Sequence, residues 1–381
     1  MALIKLNTRS IPDAAVTPAK VSQNLGRRNM IINGAMQVSQ YGTSVTSITS
    51  GSNLTADRFS FSTGTNGGTY TLSTTTTVPS GEGFEKSLKI DCTTAGNYST
   101  AGTATMLRCS PFEIQDCARL AYGTSSAKKL TVSFWTRASY TGTFTALLVT
   151  HDSAQRNIIK TFTISSANTW QKVVLTYDGD TGSTFTGADI NLGLSLDIWF
   201  GGGTDYTGGS QTDGVWRARS THNTSVLQGN GTLFGTNTSH DFYITGVQVE
   251  IGDAATDFEH RSYGEELDLC ERYFQTYSNR NWQGTNEHAV NYSLYLDGVF
   301  TKKMRAAPAA SIVGLVAIGR PQVSVSQRPN VIDGISNTGF RVCRWPSSGT
   351  YGGSLGSHGD AYYRMSVGTG PTNRIDFSAE L

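Results

Sequence analysis

The segment INLGLSLDIWF, residues 190–200, decides the fold class. Apolar side chains recur at every second position: Ile190, Leu192, Leu194, Leu196, Ile198 and Phe200. Polar side chains and one indole occupy positions between them: Asn191, Ser195, Asp197 and Trp199. A period of two over this length indicates a half-buried antiparallel strand. The segment LTVSFWTRA, residues 130–138, has the same pattern, with Leu130, Val132 and Phe134 on its apolar face.

Similar segments recur on both sides, separated by Gly, Asn, Asp and Ser. They predict strands near residues 69–77, 87–92, 103–109, 143–150, 158–164, 170–177 and 242–251. About ten strands between residues 29 and 261 are typical of two packed sheets, most simply a jelly roll. The prediction for the whole chain is an all-β protein with a large jelly-roll β-sandwich over residues 29–261.

Composition excludes several classes of function. Of 381 residues, 15% are charged and 42 are Gly, and the net charge of +1 provides no field to attract nucleic acid or an anionic membrane. The opening MALIKLNTRS lacks the apolar core of a signal peptide, and no stretch approaches the roughly 20 apolar residues of a membrane span. Five scattered cysteines predict free thiols made in a reducing cytoplasm. We therefore expect neither a nucleic-acid partner nor membrane insertion.

The flanking segments predict three further parts. Residues 1–28 form an arm that either is a loose terminus or orders by packing on another subunit or protein. Residues 262–277, SYGEELDLCERYFQTY, predict a short linking helix in which Ser262 and Glu265 form a capping box. Short apolar segments between Gly, Pro and Asn turns predict a small C-terminal β-sandwich over residues 278–381.

The predicted helix carries an apolar seam with spacings of four and three residues: Tyr263, Leu267, Cys270, Phe274 and Tyr277. This is the a/d pattern of a coiled coil. Two heptads are too short to be stable alone in water. The seam therefore packs either against its own sandwich or against copies of itself in a parallel three-helix contact, as the interface of a homotrimer.

Motifs for catalysis and for metal binding are absent from the sequence. No nucleophile elbow, zinc-protease motif or phosphate loop is present, and the six histidines are far apart. Glu250, Asp257 and Glu259 are close enough in sequence for a glycosidase pair, although local pairing of Glu259 with His260 or Arg261 is the simpler interpretation. The segment YDGDTG, residues 177–182, fits an Asp/Gly turn better than a Ca²⁺ loop. We predict no enzyme activity, cofactor or metal.

Aromatic side chains outside the predicted core suggest ligand binding. Trp135 and Trp199 lie opposite the apolar row of their strands, among polar residues, and Tyr206 and Trp216 lie in the Gly-rich segment 199–222. A flat ring with polar neighbours suits a sugar, whose C–H groups stack on the ring while its hydroxyls are hydrogen-bonded. The alternative is that a loop or a neighbouring subunit covers these rings. The four residues are the predicted glycan-binding set.

Two segments carry a resemblance to a known family. NMIINGAMQVSQYGTS with TADRF (residues 29–44 and 55–59) resembles the opening of a domain of bacteriophage tail-fibre and related virion proteins, especially of marine phages. FYITGVQVEIGDAATDFEHRSYGEELDLCERYF (242–274) is similar to the end of that domain. FTKKMRAAPAASI (300–312) and IDFSAEL (375–381) resemble the small C-terminal module that often follows it. The segments LTVSFWTRA and NTWQKVVLTYDG (168–179) resemble a carbohydrate-binding-module jelly roll.

The resemblance implies a virion structural protein, usually a homotrimer, assembled in the cytoplasm of the bacterial host. It implies that residues 1–28 dock on other virion proteins and that later domains face a host-surface glycan. It transfers no catalytic or receptor residues. No long β-helical or coiled-coil shaft is visible, so a short appendage on tail or capsid is as plausible as a long fibre. The remaining alternatives are a purely structural decoration or connector protein and a polysaccharide depolymerase.

Overall fold

The chain is all-β, with 43% of residues in strands and 9% in helices. A computed structural model describes residues 27–152, 155–187, 189–207, 212–219, 234–278, 281–288, 293–295, 297–313, 316–320, 323–325, 331–333, 335–344, 362–367 and 374–381. Two compact units divide the chain. Unit 1 comprises residues 1–37, 43–55 and 59–261, and unit 2 comprises residues 38–42, 56–58 and 262–381. Each unit is considered by itself below.

Unit 1 is a jelly-roll sandwich of two antiparallel sheets. Its strands are β1 (Ser44–Ile48), β2 (Gly51–Leu54), β3 (Phe59–Thr63), β4 (Thr69–Thr75), β5 (Ser87–Thr94), β6 (Ala104–Glu113), β7 (Leu130–Ala138), β8 (Gly142–Thr150), β9 (Arg156–Ile164), β10 (Gln171–Tyr177), β11 (Leu192–Gly202), β12 (Arg217–Ala218) and β13 (Asp241–Ile251). Short helical turns at Ile114–Cys117, Ala118–Leu120, Thr204–Thr207 and Phe234–Thr236 connect some of them. Sheet A has the order β1-β4-β5-β13-β7-β10, and sheet B has the order β12-β9-β8-β11-β6-β3-β2.

Aromatic rings fill the space between the two sheets. Phe200 of sheet B meets Phe242 of sheet A edge-to-face at 4.8 Å between ring centroids. Phe134 of sheet A meets Phe162 of sheet B in the same way at 5.2 Å. Edge-to-face pairs contribute about 0.5–1.5 kcal/mol beyond the burial of their area. The rings therefore fix the two sheets against each other, as the alternating pattern of their strands predicts.

The predicted strands of unit 1 are confirmed. Each of the seven predicted ranges overlaps an observed strand, and the apolar rows of residues 130–138 and 190–200 face the core. The structure adds four short strands, β1, β2, β3 and β12. β1, β2 and β12 carry too few apolar residues to show a period, and in β3 the alternation extends over only five residues. A bulge in β13 at Gly246 shifts the pairing with β7 between Thr245 and Gln248. Gly246 has a φ of 62°, which suits a residue without a Cβ atom.

The described residues of unit 2 form two antiparallel sheets and one helix, Tyr263–Cys270. Its strands are β14 (Phe274–Tyr277), β15 (Asn281–His288), β16 (Ser293–Tyr295), β17 (Asp297–Val299), β18 (Ala309–Val313), β19 (Val316–Arg320), β20 (Val323–Val325), β21 (Val331–Asp333), β22 (Gly339–Arg344), β23 (Tyr362–Val367) and β24 (Arg374–Ser378). One sheet has the order β14-β24-β18, so the C-terminal strand is its central strand. The other has the order β17-β22-β16-β15-β23-β19-β20, with β21 paired to β22.

The predicted linking helix over residues 262–277 is correct only in its first half. The capping box is present, because Ser262 accepts from the Glu265 N–H and the Glu265 carboxylate accepts from the Ser262 N–H at 2.9 Å. The helix ends at Cys270, and Phe274–Tyr277 form a strand that pairs with β24. Pairing with a central strand supplies more backbone hydrogen bonds and burial than an isolated fourth turn of helix would.

The coiled-coil interpretation of the seam is wrong because the helix ends at Cys270 and Phe274–Tyr277 form a strand. Phe274 is 2% exposed and stacks on Tyr41 at 3.8 Å between ring centroids. Cys270 and Tyr277 are also buried in unit 2, whereas Leu267 is half-buried and Tyr263 is 57% exposed. The alternative of packing within the same chain accounts for the buried members, so the seam gives no support to a three-helix contact.

A buried ion pair anchors the C-terminus within unit 2. The Arg58 guanidinium is 0% exposed, contacts the Glu380 carboxylate, and lies 3.5 Å from the centre of the Tyr273 ring. Arg305 donates to the backbone carbonyl of Ala379 at 2.9 Å. These contacts explain why unit 2 includes residues 56–58, which the sequence analysis assigns to the sandwich.

The end of the predicted N-terminal arm is bound to unit 1. The backbone N–H groups of Arg27, Arg28 and Asn29 all donate to the Glu259 carboxylate, at 3.1, 2.5 and 2.9 Å. Residues 1–26, on which the docking prediction depends, lie outside the described residues. Among the described residues, none of the helices is long and apolar enough to cross a membrane.

Candidate functional site

An aromatic–cation strip crosses the outer face of sheet A. It consists of Trp170, Arg137, Tyr243 and Lys89, which come from four different segments. Tyr243 of β13 pairs with Arg137 of β7 on one side and with Lys89 of β5 on the other. Paired residues of antiparallel strands point to the same face, so these three side chains form one row. Trp170 directly precedes β10 and extends the row beyond Arg137.

Tyr243 lies at the centre of the strip. The Arg137 guanidinium carbon lies 4.8 Å from the centre of its ring, and the Lys89 ammonium lies 5.8 Å away. The indole of Trp170 meets the same ring edge-to-face at 6.2 Å between centroids. Cations over an aromatic face contribute about 0.5–1 kcal/mol each at exposed sites. Tyr243 itself is only 8% exposed, so it holds its neighbours in place, and the strip is an ordered patch and not a set of independent side chains.

Arg137 also fixes the turn that carries Trp170. Its guanidinium donates to the backbone carbonyl of Asn168 at 3.0 Å and to the Asn168 side chain at 2.8 Å. Asn168 has a φ of 57°, a left-handed conformation that Asn tolerates better than most residues. This bidentate contact holds the β9–β10 turn, and with it Trp170, in place beside Tyr243.

The Lys89 end of the strip carries mixed charge. Lys89 forms ion pairs with Asp91 at 3.1 Å and with Asp241 at 3.8 Å. Burial alone would lower the pKa of Lys89, but the Asp91 carboxylate, Tyr243 and Asp241 outweigh it and raise the pKa. The ammonium is thus charged at neutral pH, and both donors and acceptors of hydrogen bonds are available at this end.

The predicted ligand residue Trp135 lies next to the strip. It pairs with Thr245 and with Lys172, one row away from Tyr243, and its ring is half-buried. Val174, two positions further along β10 from Lys172, is 48% exposed. Two half-buried indoles, Trp135 and Trp170, therefore lie on the outer face of sheet A, where Thr245 is buried and Lys172 and Val174 are exposed. Such a surface can stack on sugar rings and hydrogen-bond their hydroxyls.

The structure brings Trp199 and Tyr206 together on the opposite sheet, away from Trp135. Their ring centroids are 5.0 Å apart on the outer face of sheet B. Trp199 is only 5% exposed and packs with Leu147, Val149 and Ile159. The sequence correctly orients the indole away from the core, but the short helix Thr204–Thr207 brings Tyr206 onto it. The prediction of Trp199 as a stacking platform is wrong for this conformation.

Trp216 packs against the chain itself. Its indole N–H donates to the backbone carbonyl of Asp178 at 2.7 Å, and its ring meets Tyr122 edge-to-face at 5.7 Å. The ring is half-buried in this contact. Trp216 therefore stabilises the segment that follows β10. Among the described contacts, it touches neither Trp135 nor the Trp199–Tyr206 pair.

Two of the three acidic residues considered for glycoside hydrolysis, Glu250 and Glu259, make structural contacts. Glu250 is buried and accepts hydrogen bonds from Thr256 at 2.8 and 2.7 Å and from Gln248 at 3.0 Å. Burial alone would raise the pKa of Glu259, but backbone N–H groups and the Arg261 guanidinium outweigh it and lower the pKa. A general acid needs the opposite shift. The Glu259–Arg261 pair predicted from the sequence is present at 3.3 Å.

In the YDGDTG segment, the Asp180 carboxylate is hydrogen-bonded to other residues of the chain. Asp180 accepts from the Arg156 guanidinium at 3.0 Å with both carboxylate oxygens and from the Gly182 N–H at 2.9 Å. This is the turn geometry preferred in the sequence analysis. In the part of the chain that the structure describes, no group of three or more His, Cys, Asp or Glu residues is placed to hold a metal ion.

The sequence pattern does not single out four residues of this site: Trp170, Tyr243, Arg137 and Lys89. Tyr243 and Thr245 alternate with the apolar Phe242 and Ile244, so the outward position of Tyr243 was readable from FYIT, residues 242–245. What no single segment shows is the pairing of β13 with both β5 and β7, which creates the row.

Comparisons with known proteins find similarity only at the level of solved structures. No family model matches the chain, and no curated protein matches it. The enzymatically active domain of tailspike protein 4 from bacteriophage CBA120 aligns with 59% of this chain at 11% identity and a TM-score of 0.33. A putative sugar binding protein from Bacteroides thetaiotaomicron aligns with 59% at 14% identity and a TM-score of 0.32. A family 11 carbohydrate-binding module from Clostridium thermocellum, in complex with a mixed-linked tetrasaccharide, aligns with 56% at 10% identity and a TM-score of 0.25.

The coverage of those chains differs greatly. This chain spans 22% of the tailspike chain, all of the Bacteroides chain and 98% of the family 11 module. At these identities and TM-scores, the matches identify no ligand and no site residue in this chain.

Proposed function

We propose that this protein is a non-enzymatic structural protein of a bacteriophage virion, a tail fibre or short appendage, that recognises a host-surface glycan through the aromatic–cation strip and Trp135. The observation that supports glycan recognition is the strip itself. Two half-buried indoles lie on the outer face of sheet A, with the Arg137 guanidinium next to them and the Lys89 ammonium beyond Tyr243. A glycan would stack on Trp135 and Trp170, and its hydroxyls would bond to the charged groups.

The virion assignment is supported by the resemblance of residues 29–59 and 242–274 to phage tail-fibre proteins. Docking on other virion proteins through residues 1–28 and localisation in a virion assembled in the bacterial cytoplasm belong to the same proposal. So does the homotrimer, which rests on the resemblance alone because the predicted seam is largely internal. Mass measurement by light scattering tests the trimer, and a stable monomer at micromolar concentration would contradict it.

The test of glycan recognition is adsorption of the intact protein to host cells, compared with its Trp170→Ala and Trp135→Ala variants. We expect each variant to adsorb about 5–30-fold more weakly, because loss of a stacked aromatic anchor costs about 1–2 kcal/mol. Tyr263→Ala, which removes an exposed ring from unit 2, is the matched control and should adsorb normally. Wild-type adsorption by both tryptophan variants would remove the strip from host recognition.

The second candidate is a purely structural decoration or connector protein. It is favoured by the packing of Trp199 and Trp216, two of the four aromatic residues predicted to bind a glycan, against the chain itself. In the assembled particle, this alternative buries Trp135 and Trp170 between proteins. The two candidates are distinguished by how strongly a dissolved quencher reduces tryptophan fluorescence in intact particles, because glycan recognition requires both indoles to remain accessible to solvent.

A further inference from the structure

Two cations lie beside the two indoles of the proposed glycan surface. Lys172 of β10 pairs with Trp135 of β7, so their side chains are neighbours on the outer face of sheet A. Arg137 lies two positions beyond Trp135, and the register of the two strands places Trp170, the residue before β10, next to it. Diagonal positions of a sheet have Cα atoms about 7–8 Å apart, within reach of long side chains. Arg137 and Lys172 are diagonal neighbours, so one anionic group can contact both.

Neither cation is paired with an acidic side chain in the described part of the chain. Lys172 is exposed and forms no ion pair there. Arg137 donates to Asn168, from Nε to the backbone carbonyl at 3.0 Å and from Nη2 to the side-chain oxygen at 2.8 Å, and both acceptors are uncharged. The Nη1 N–H groups of Arg137 and the ammonium N–H groups of Lys172 remain as donors. Unused donors with positive charge therefore lie next to the indoles.

Carboxylates lie at the other end of the strip. Lys89 is separated from Arg137 by Tyr243, because the strand of Tyr243 lies between theirs. Asp91 and Asp241 both form ion pairs with Lys89, at 3.1 and 3.8 Å. Two carboxylates around one ammonium disfavour a bound anion, whereas two cations without carboxylates favour one. The contacts therefore assign an anionic group of the ligand to the indole end of the strip.

We propose that the glycan bound by the strip is acidic, and that its carboxylate or sulfate group binds between Arg137 and Lys172. This inference rests on the proposed function and specifies the class of its ligand. Trp135 and Trp170 stack on the C–H faces of sugar rings, while the two cations form charge-assisted hydrogen bonds to the oxyanion. A neutral glycan with the same backbone keeps the stacking and loses the ion pairs.

The ligand class is tested with purified host-surface polysaccharide in three forms: native, with its carboxyl groups reduced to alcohols, and with its sulfate esters removed. Dissociation constants for the intact protein are measured at constant ionic strength, because screening alone changes the affinity of exposed charges. We expect one modified form to bind at least about tenfold more weakly than the native form, and that form identifies the anionic group. Equal affinity for all three forms would overturn the inference and leave the proposed function standing. Absence of binding by the native form would overturn both.

Variants of Lys172 separate charge from stacking and from folding. Lys172→Gln should bind the native polysaccharide about three- to tenfold more weakly than the wild type, and Lys172→Arg should retain most of the affinity. Because Lys172 is exposed, the unfolding midpoint should not change. Trp170→Ala should instead weaken binding of the native and the modified forms alike.

The matched control is Lys302→Gln, which removes an exposed positive charge from unit 2 and should bind normally. It separates a local ion pair from a general effect of net charge. Equal affinity of the wild type and Lys172→Gln for the native polysaccharide would overturn the placement of the anionic group, whatever the outcome for Trp170→Ala.

Discussion

Phe274 provides a direct test of where the apolar seam is buried. Its ring is 2% exposed in unit 2 and stacks on Tyr41. Replacement of a buried Phe by Ala typically costs about 3–5 kcal/mol, through lost transfer free energy and the cavity that remains. Since a domain is stabilised by about 5–15 kcal/mol, we expect Phe274→Ala to remove about a fifth or more of the free energy of unfolding of unit 2.

The assay is urea unfolding followed by circular dichroism, with the molecular mass of the folded protein measured by light scattering. Phe274→Ala should lower the unfolding midpoint and leave the mass unchanged. The control is Tyr263→Ala, because Tyr263 belongs to the same predicted seam but is exposed, and it should change stability by less than about 0.5 kcal/mol. If Phe274→Ala instead reduces the mass of an oligomer without lowering the unfolding midpoint, the ring is an interface residue and the internal packing is refuted.

Two further predictions concern buried charge. His151 has a pKa of about 4 in the folded chain, lowered by burial and by Arg108, against about 6.5 when unfolded, so the unfolded state binds the proton more tightly. The free energy of unfolding should therefore fall as pH drops from about 6.5 to about 4, by at most about 3 kcal/mol, and His151→Asn should remove this fall. If the free energy of unfolding depends on pH in the same way for the wild type and the variant between pH 7 and pH 4, the burial of a neutral imidazole is contradicted. Glu380→Gln should lower the free energy of unfolding of unit 2 by about 3–5 kcal/mol, because it removes the negative charge that the wholly buried Arg58 guanidinium contacts. The control Asp268→Asn, in an exposed ion pair, should cost less than about 1 kcal/mol. Similar urea midpoints for the two variants would argue against the buried pair.

The sandwich could be predicted from the sequence because each strand carries its own evidence. In residues 130–138 and 190–200, every second side chain is apolar, and only a strand places all of them on one face. The inward positions of Phe134 and Phe200 follow from this period alone, and both rings are in the core. Local periodicity was sufficient because burial in a two-layer sandwich repeats at the period of the strand.

The helix prediction failed where spacing is ambiguous. Phe274 and Tyr277 are three residues apart, which fits a helical seam, but both side chains are also buried in the short strand Phe274–Tyr277. The partner that decides between the two is β24, about 100 residues further along the chain. A local pattern contains no information on so distant a pairing.

The candidate site was predictable only in part. The outward orientation of Trp135 and Trp199 followed from alternation, but their exposure did not, because it depends on which loop covers each sheet face. Trp199 is covered by Tyr206, seven residues later, whereas Trp135 stays half-buried on the outer face of sheet A. Exposure, which decides whether an indole can stack on a sugar, is a tertiary property that strand periodicity does not determine.

We propose above all that the aromatic–cation strip binds a glycan. The most direct test is the dissociation constant of the intact protein for purified host-surface polysaccharide, measured for the wild type and for Trp170→Ala. We predict that the variant binds about 5–30-fold more weakly while its unfolding midpoint stays near that of the wild type. Equal dissociation constants for the two proteins would contradict the account.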